Sequence, residues 1–199
     1  MLNKNIIEEI SKIKGETRGA VFHTDVQYIL DKKGEKGLEE LRKKLKDLGQ
    51  GDIYSKEINS TGWYPLWWRV LSLLIIQDTF NWDEKEIFNM GISAPKHSFI
   101  VKTLLRYFIS IEKTFKESAK YWEKHYTISK LEAPEINVKE KRLVLRLVDF
   151  KIHPILCVYF RGYFKSIASL VVKTDKMTIK ETKCPFSGDA YHEFVIEWE

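Results

Sequence analysis

Lys141–Val172 reads KRLVLRLVDFKIHPILCVYFRGYFKSIASLVV, and the change of period inside it decides the fold. Leu143, Leu145 and Leu147 recur at every second position, which puts them on one face of a strand. From His153 to Val171 the texture is helical, with Pro154 near the first position, where a helix tolerates proline. Upstream, Ile136 and Val138 alternate in the same way and complete a hairpin with 143–147. Downstream, Met177, Ile179 and Glu181 form one alternating row, and His192, Phe194, Ile196 and Trp198 form another. The C-terminal third therefore reads strand, strand, helix, strand, strand. The expected fold class is α+β: a mostly antiparallel four-stranded sheet packed against helices, with a helical N-terminal half.

Tyr64–Phe80, YPLWWRVLSLLIIQDTF, is the most apolar stretch, with Pro65 expected in the first turn of its helix. Arg69 near its centre and Gln77-Asp78 near its end predict a buried core helix and no membrane span. Residues 1–50 read as three helices: Asn5–Lys12, His23–Lys33 closed by Gly34, and a third marked by Leu38, Leu41, Leu45 and Leu48. Gly51–Gly62 is loop-like. Asp83–Met90 is a short helix, and Ser93 and Pro95 are expected to open another. Phe99, Thr103, Tyr107 and Ile111 carry that one on, as one helix to about Tyr126 or as two with a break near Ser110. The domain reading is a helical region, 1–50, continuous with a ligand-binding unit, 51–199.

The 199 residues carry 33 Lys+Arg against 28 Asp+Glu, a formal charge of +5. The basic runs Arg42-Lys43-Lys44 and Lys139–Arg142 read as solvated surface, so no nucleic-acid partner is expected. Two cysteines, Cys157 and Cys184, make no disulfide scaffold, and the charged opening MLNKNIIEEISKIK is no signal peptide. A reducing cytoplasm is the expected location. Gln27, Gln50 and Gln77 are the only glutamines beside abundant Lys, Glu and Ile, a thermophile bias. No enzyme is expected: phosphate-loop, dinucleotide, nucleophile-elbow and H-E-x-x-H motifs are absent. Nothing orients His153 towards Cys157 as a nucleophile pair.

Two constellations carry chemistry. Cys157 lies in the first helical turn, while Glu181, Cys184 and His192 flank a turn around Gly188-Asp189. If the helix start packs on that hairpin, Cys157, Glu181, Cys184 and His192 converge as thiolate, carboxylate and imidazole ligands suited to zinc. The competing reading is a buried cysteine acting as a small hydrophobe. His153 shares a helical face with Cys157 and is the reserve ligand. The second constellation is aromatic. Trp67, Trp68, Phe99, Tyr107, Tyr159 and Tyr163 either form core or line an apolar cavity for a small apolar or aromatic ligand. Gly162, in mid-helix, calls for close packing or for pocket space.

Val148–Cys157, Tyr159–Phe164, Lys180–Cys184 and Gly188–Phe194 together resemble the end of a 4-vinyl reductase domain, over roughly residues 95–199. That family is similar to the phenol-sensor domains of the XylR/DmpR type, and resembles TRAPP subunits and H-NOX domains in fold. The resemblance implies a cytoplasmic, non-catalytic sensor with an apolar pocket and a structural zinc on Cys157, Glu181, Cys184 and His192. His192 stands where the family has a third cysteine. The H-NOX relation raises haem, with His97, His125 and His153 as candidate ligands. The haem-gripping Tyr-x-Ser-x-Arg is missing, since Tyr126-Thr-Ile-Ser129-Lys130 has the wrong spacing, so haem is disfavoured. The alternatives are a TRAPP-like scaffold and a haem-based gas sensor. A homodimer through Val26, Ile29, Leu38, Leu41 and Leu45 is expected, with a separate output protein.

Overall fold

The computed structural model describes residues 2–98, 101 and 110–199. The elements run α1 Lys4–Ile10, β1 Glu16–Arg18, α2 Ala20–Asp47, β2 Trp63–Pro65, α3 Leu66–Phe80 and α4 Glu84–His97. They continue with α5 Ile111–Lys116, α6 Ser118–Glu123, β3 Lys130–Asn137, β4 Arg142–Val148, α7 Pro154–Val172, β5 Met177–Lys183 and β6 Tyr191–Trp198. The class is α+β, with the helical half first and a four-stranded antiparallel sheet in the C-terminal part.

The N-terminal half corrects several expected boundaries. The two helices expected either side of Gly34 are halves of α2, kinked there at φ 66° and ψ −169°. Ile29, Leu38, Leu41 and Leu45 are all buried in the chain's own core. Val26, the fifth residue weighed for a homodimer, is half-buried against the same core. Trp63–Pro65 pairs antiparallel with Glu16–Arg18, so α3 starts at Leu66 and Pro65 caps it instead of lying in its first turn. Asp83 caps α4 by accepting from the Glu86 amide at 3.0 Å. That helix runs to His97, so Pro95 lies in its last turn instead of opening a new one. Ser110 accepts from the Lys113 amide at 3.2 Å and caps the start of α5. Phe99 and Tyr107 lie outside the described residues.

The sheet order is β3-β4-β6-β5, antiparallel throughout. Pro134 sits in the register shift between Glu132 and Glu135, where a residue without an N–H is tolerated. The inward row of Leu143, Leu145, Leu147, Phe194 and Ile196 is fully buried. Helix α7 links β4 to β5, and its own apolar side joins the same core. Long and apolar enough to cross a membrane, it has 61% of its most apolar window buried inside the fold, as a core helix does.

Glycines set the spacing of α7 against α4. A Cβ at Gly162 would lie 2.1 Å from the Phe88 carbonyl oxygen, and one at Gly91 would lie 2.1 Å from that of Tyr159. The two backbones touch, so close packing accounts for Gly162.

Candidate functional site

A cavity of about 80 Å³ lies where α7 faces α2, α5 and the turn after α6. Tyr159, Phe160, Tyr163 and Phe164 wall it from α7, with Trp122, His125 and Tyr126 opposite and Thr24 and Thr114 at its sides. Of the expected lining, Tyr159 and Tyr163 are there. Trp67 and Trp68 are not among the described lining residues. Trp68 stacks on Tyr64 at 5.8 Å and meets Phe22 edge-on at 6.4 Å, and Trp67 packs on Trp68 at 6.0 Å. They build a separate aromatic cluster at the start of α3.

His125 is the distinctive polar group of the wall. Its Nδ1 lies 2.9 Å from the Tyr121 carbonyl oxygen, which can only accept, so Nδ1 carries the proton. Nε2 then holds a lone pair, is shielded from solvent and has no partner among the described residues. Burial pushes the imidazole below its ordinary pKa, aided by Arg18 and Lys124 against the pull of the Tyr121 carbonyl. The Thr114 hydroxyl on the same wall is likewise unpartnered. Among the other histidines weighed for haem, His97 ends α4 at 3.6 Å from Asp31. His153 caps α7 by accepting from the Ile155 amide at 3.2 Å, and it is not among the residues that converge with Cys157.

Acid sensitivity follows from two partly buried histidines. Burial also lowers His153. Below about pH 6.5 the unfolded chain takes up protons that the folded imidazoles refuse. Stability is therefore held above that pH and lost as pH falls through it. The melting temperature should drop between about pH 7 and pH 5, and His125→Gln should flatten that slope. A slope unchanged in the variant would contradict a neutral His125.

Behind Tyr159 lies a buried ion pair that sequence reasoning missed. Arg69 Nη1 donates to Asp25 Oδ2, and neither side chain is more than 1% exposed. Ser72 donates to the same oxygen at 2.6 Å, and the Tyr54 hydroxyl lies 3.1 Å from Ser72 Oγ. Burial drives the Asp25 carboxyl above its ordinary range, against the pull of Arg69 and Ser72. The guanidinium lies 4.3 Å over the Tyr159 ring. Its Nε and Nη2 make no hydrogen bond of ordinary geometry among the described residues. Burial raises the pKa of the Tyr126 hydroxyl, and the Arg69 charge beside it pulls it back. Arginine inside the apolar α3 was the available sequence signal; its partner, 44 residues away, carried none.

The cysteine-bearing constellation lies where the start of α7 meets the β5–β6 hairpin. One ligand atom from each of Cys157, Glu181, Cys184 and His192 falls within 4.8 Å of all the others. The two sulfurs are 3.9 Å apart. Metal–sulfur bonds of about 2.3 Å in tetrahedral geometry would put them about 3.8 Å apart. His192 Nδ1 lies 2.8 Å from Glu181 Oε1 and 3.8 Å from Cys157 Sγ. Its Nε2 donates to the Phe150 carbonyl at 2.7 Å, the backbone contact that fixes a ligating imidazole. Burial, then the Glu181 charge, pushes the Cys157 thiol up, so without a cation it stays protonated.

No family model and no curated protein matches the chain. Solved structures do. An H-NOX protein from S. oneidensis, described in an Fe(II)NO ligation state, superposes with a TM-score of 0.69 at 13% identity, over 92% of this chain and 99% of that one. An oxygen-binding H-NOX domain related to soluble guanylate cyclases gives 0.64 at 12%, over 92% and 95%. A third structure, whose subject is haem redox potential under porphyrin distortion, gives 0.61 at 12%, over 91% and 99%. These neighbours overturn the expected cofactor assignment of zinc with haem disfavoured, because the proteins sharing this fold are described with haem and Fe(II). In donor chemistry the residues here fit such a group: a neutral imidazole with a free Nε2 on an aromatic wall is what haem iron takes. The chain has the fold of the H-NOX domains.

Proposed function

We propose that this chain is a non-catalytic sensory domain that takes its ligand in the aromatic cavity, with His125 as the anchoring group. The observation that carries this is the unpartnered Nε2 on a mostly apolar wall, in a fold whose solved neighbours include proteins described with bound NO or oxygen. Buried polar atoms are normally satisfied, so one left open on a cavity marks where a ligand belongs. On the haem-sensor reading, His125 would hold the iron and the rings of Trp122, Tyr126 and Phe160 would flank the porphyrin. Haem would supply the metal centre at which a diatomic gas binds. The chain's own part is to keep His125 neutral and to exclude water.

Hemin added to the purified protein should give a sharp Soret band, and His125→Ala should remove it. An equally strong band in the variant would contradict His125 as the ligand.

A second reading is favoured by size. A cavity of about 80 Å³ is smaller than a porphyrin and suits a small apolar or aromatic molecule bound directly. On that reading hemin gives no band, and a small apolar probe such as toluene raises the melting temperature. Failure of both would leave the scaffold alternative.

The convergence of four donor atoms within 4.8 Å of one another supports a further part of the proposal. We read Cys157, Glu181, Cys184 and His192 as the ligands of a structural metal ion that binds α7 to the β5–β6 hairpin. Elemental analysis should find about one transition-metal ion per chain, and Cys184→Ser should lose the ion and lower the melting temperature. A metal-free protein of unchanged stability would refute this.

A further inference from the structure

We propose that the groove in the elbow of α2 is a second ligand site, for a single-chain amphiphile with an anionic head, and that its occupancy is felt in the aromatic cavity. Only the coupling rests on reading the cavity as a ligand site. Gly34 kinks α2 at φ 66° and ψ −169°, a conformation essentially confined to glycine. A groove of about 400 Å³ lies along both halves of the kinked helix, with Val26 and Leu30 before Gly34, Leu38 and Arg42 after it, and residues from 53–58 opposite. That volume is in the range of small-molecule sites. Phe22, Leu38 and Ile53 are buried beneath it. Val26, Leu30 and Ile58 are half-buried and present apolar surface that a hydrocarbon chain would take out of water.

The rim sets the sign of the head. Arg42 donates from Nε to Asp52 at 3.1 Å and from Nη2 to the Tyr54 carbonyl at 3.2 Å. His23 Nε2 donates to the Ile58 carbonyl at 2.7 Å. Lys56 stands on the loop between these two anchor points and is exposed. Asp52 offsets Arg42, so the charge that this wall offers a ligand is Lys56, with a guanidinium and an imidazole on either side. The lining carboxylate, Glu35, belongs to α2 beside the kink. An anion paired with Lys56 leaves its chain to cover Val26, Leu30 and Ile58.

Two links join the groove to the cavity. The first turns of α2 separate them: Phe22, His23 and Val26 line the groove, and Val21 and Thr24 line the cavity. The second link is polar. Tyr54 lines the groove, and its hydroxyl lies 3.1 Å from Ser72 Oγ. Ser72 donates to Asp25 at 2.6 Å, and Asp25 accepts from Arg69. Arg69 lies 4.3 Å over the ring of Tyr159, which walls the cavity. Each of these five side chains is almost fully enclosed, and a close-packed interior transmits a displacement that solvent would absorb.

Octanoate, hexanoate and octyltrimethylammonium, titrated into the full chain and followed by NMR, test the site. Octanoate should shift the resonances of Val26, Leu30 and Ile58. It should bind several-fold more tightly than hexanoate, since each covered methylene is worth up to about fourfold. Lys56→Glu should weaken octanoate about tenfold and strengthen octyltrimethylammonium, a reversal that structural damage does not produce. Bound octanoate should change the affinity of the cavity for toluene, or for hemin, by about fivefold. Ser72→Ala lies outside the groove and cuts the polar link, so it should remove that effect while octanoate still binds. Equal binding of the two octyl probes, indifferent to Lys56→Glu, overturns the anionic head. Octanoate that leaves the groove resonances unmoved overturns the site. Groove binding without effect on either cavity probe overturns the coupling. If the cavity takes neither toluene nor hemin, the sensory reading and the coupling fail together, and the groove stands or falls on octanoate.

Discussion

Asp25→Ala is expected to cost about 3–5 kcal/mol of folding stability, and Arg69→Met a similar amount, because each leaves its partner as an uncompensated charge in the core. Both residues are almost fully enclosed, so water cannot take over from the lost partner. The double variant should cost less than either single change. With both charges gone, nothing must be held ionised away from solvent, and Met fills much of the arginine volume. Urea denaturation of the four proteins closes the cycle. Single costs that simply add in the double variant would mean that the two groups do not depend on each other. Ser72→Ala should cost only about 1 kcal/mol, since Asp25 keeps its guanidinium partner.

The sheet was legible because its signal is local. A strand with one buried face must alternate, and 143–147, 177–181 and 192–198 do so within a few residues. Helix boundaries were less legible where a tertiary partner decided them. Trp63–Pro65 became a strand because Glu16–Arg18 offered a ladder, which no property of Tyr64 announces. Pro95 looked like a helix start, but the Asp83 cap had already set the phase of α4. The convergence of Cys157 with Glu181, Cys184 and His192 could be drawn from a hairpin and one packing assumption. The cavity could not. Its walls come from α2, α4, α5, α6 and α7 together, and aromatic density pointed to Trp67 and Trp68, which pack among themselves. His125 was visible only as one histidine among five. What distinguishes it, an Nε2 without a partner, exists only once the chain is folded.

Gly162→Ala should be the most damaging single-methyl change on α7. The added Cβ would sit 2.1 Å from the Phe88 carbonyl oxygen, well inside contact distance, and the clash is with backbone, which no rotamer change relieves. The helices must separate, at a cost of about 3 kcal/mol or more for overpacking. Alanine's better helix propensity returns about 1 kcal/mol of this. A net loss of about 2 kcal/mol should lower the melting temperature by roughly 4–8 °C in a chain of this size. Gly91→Ala should behave alike, as its Cβ would meet the Tyr159 carbonyl oxygen at the same 2.1 Å. The two changes should be sub-additive, because helices already forced apart by one methyl have room for the other. Gly51→Ala is the control: no atom lies within 4 Å of its added Cβ and its φ is not positive, so it should stay within about 0.5 kcal/mol of the parent. The consequence reaches the site, because Tyr159, Phe160, Tyr163 and Phe164 ride on α7. Moving that helix away from α4 shifts one wall of the cavity relative to His125. Gly162→Ala should therefore weaken binding of whatever occupies the cavity in the folded fraction, measured below the melting transition. Unchanged binding in a destabilised variant would show that the α4–α7 contact supports the fold without setting the shape of the cavity.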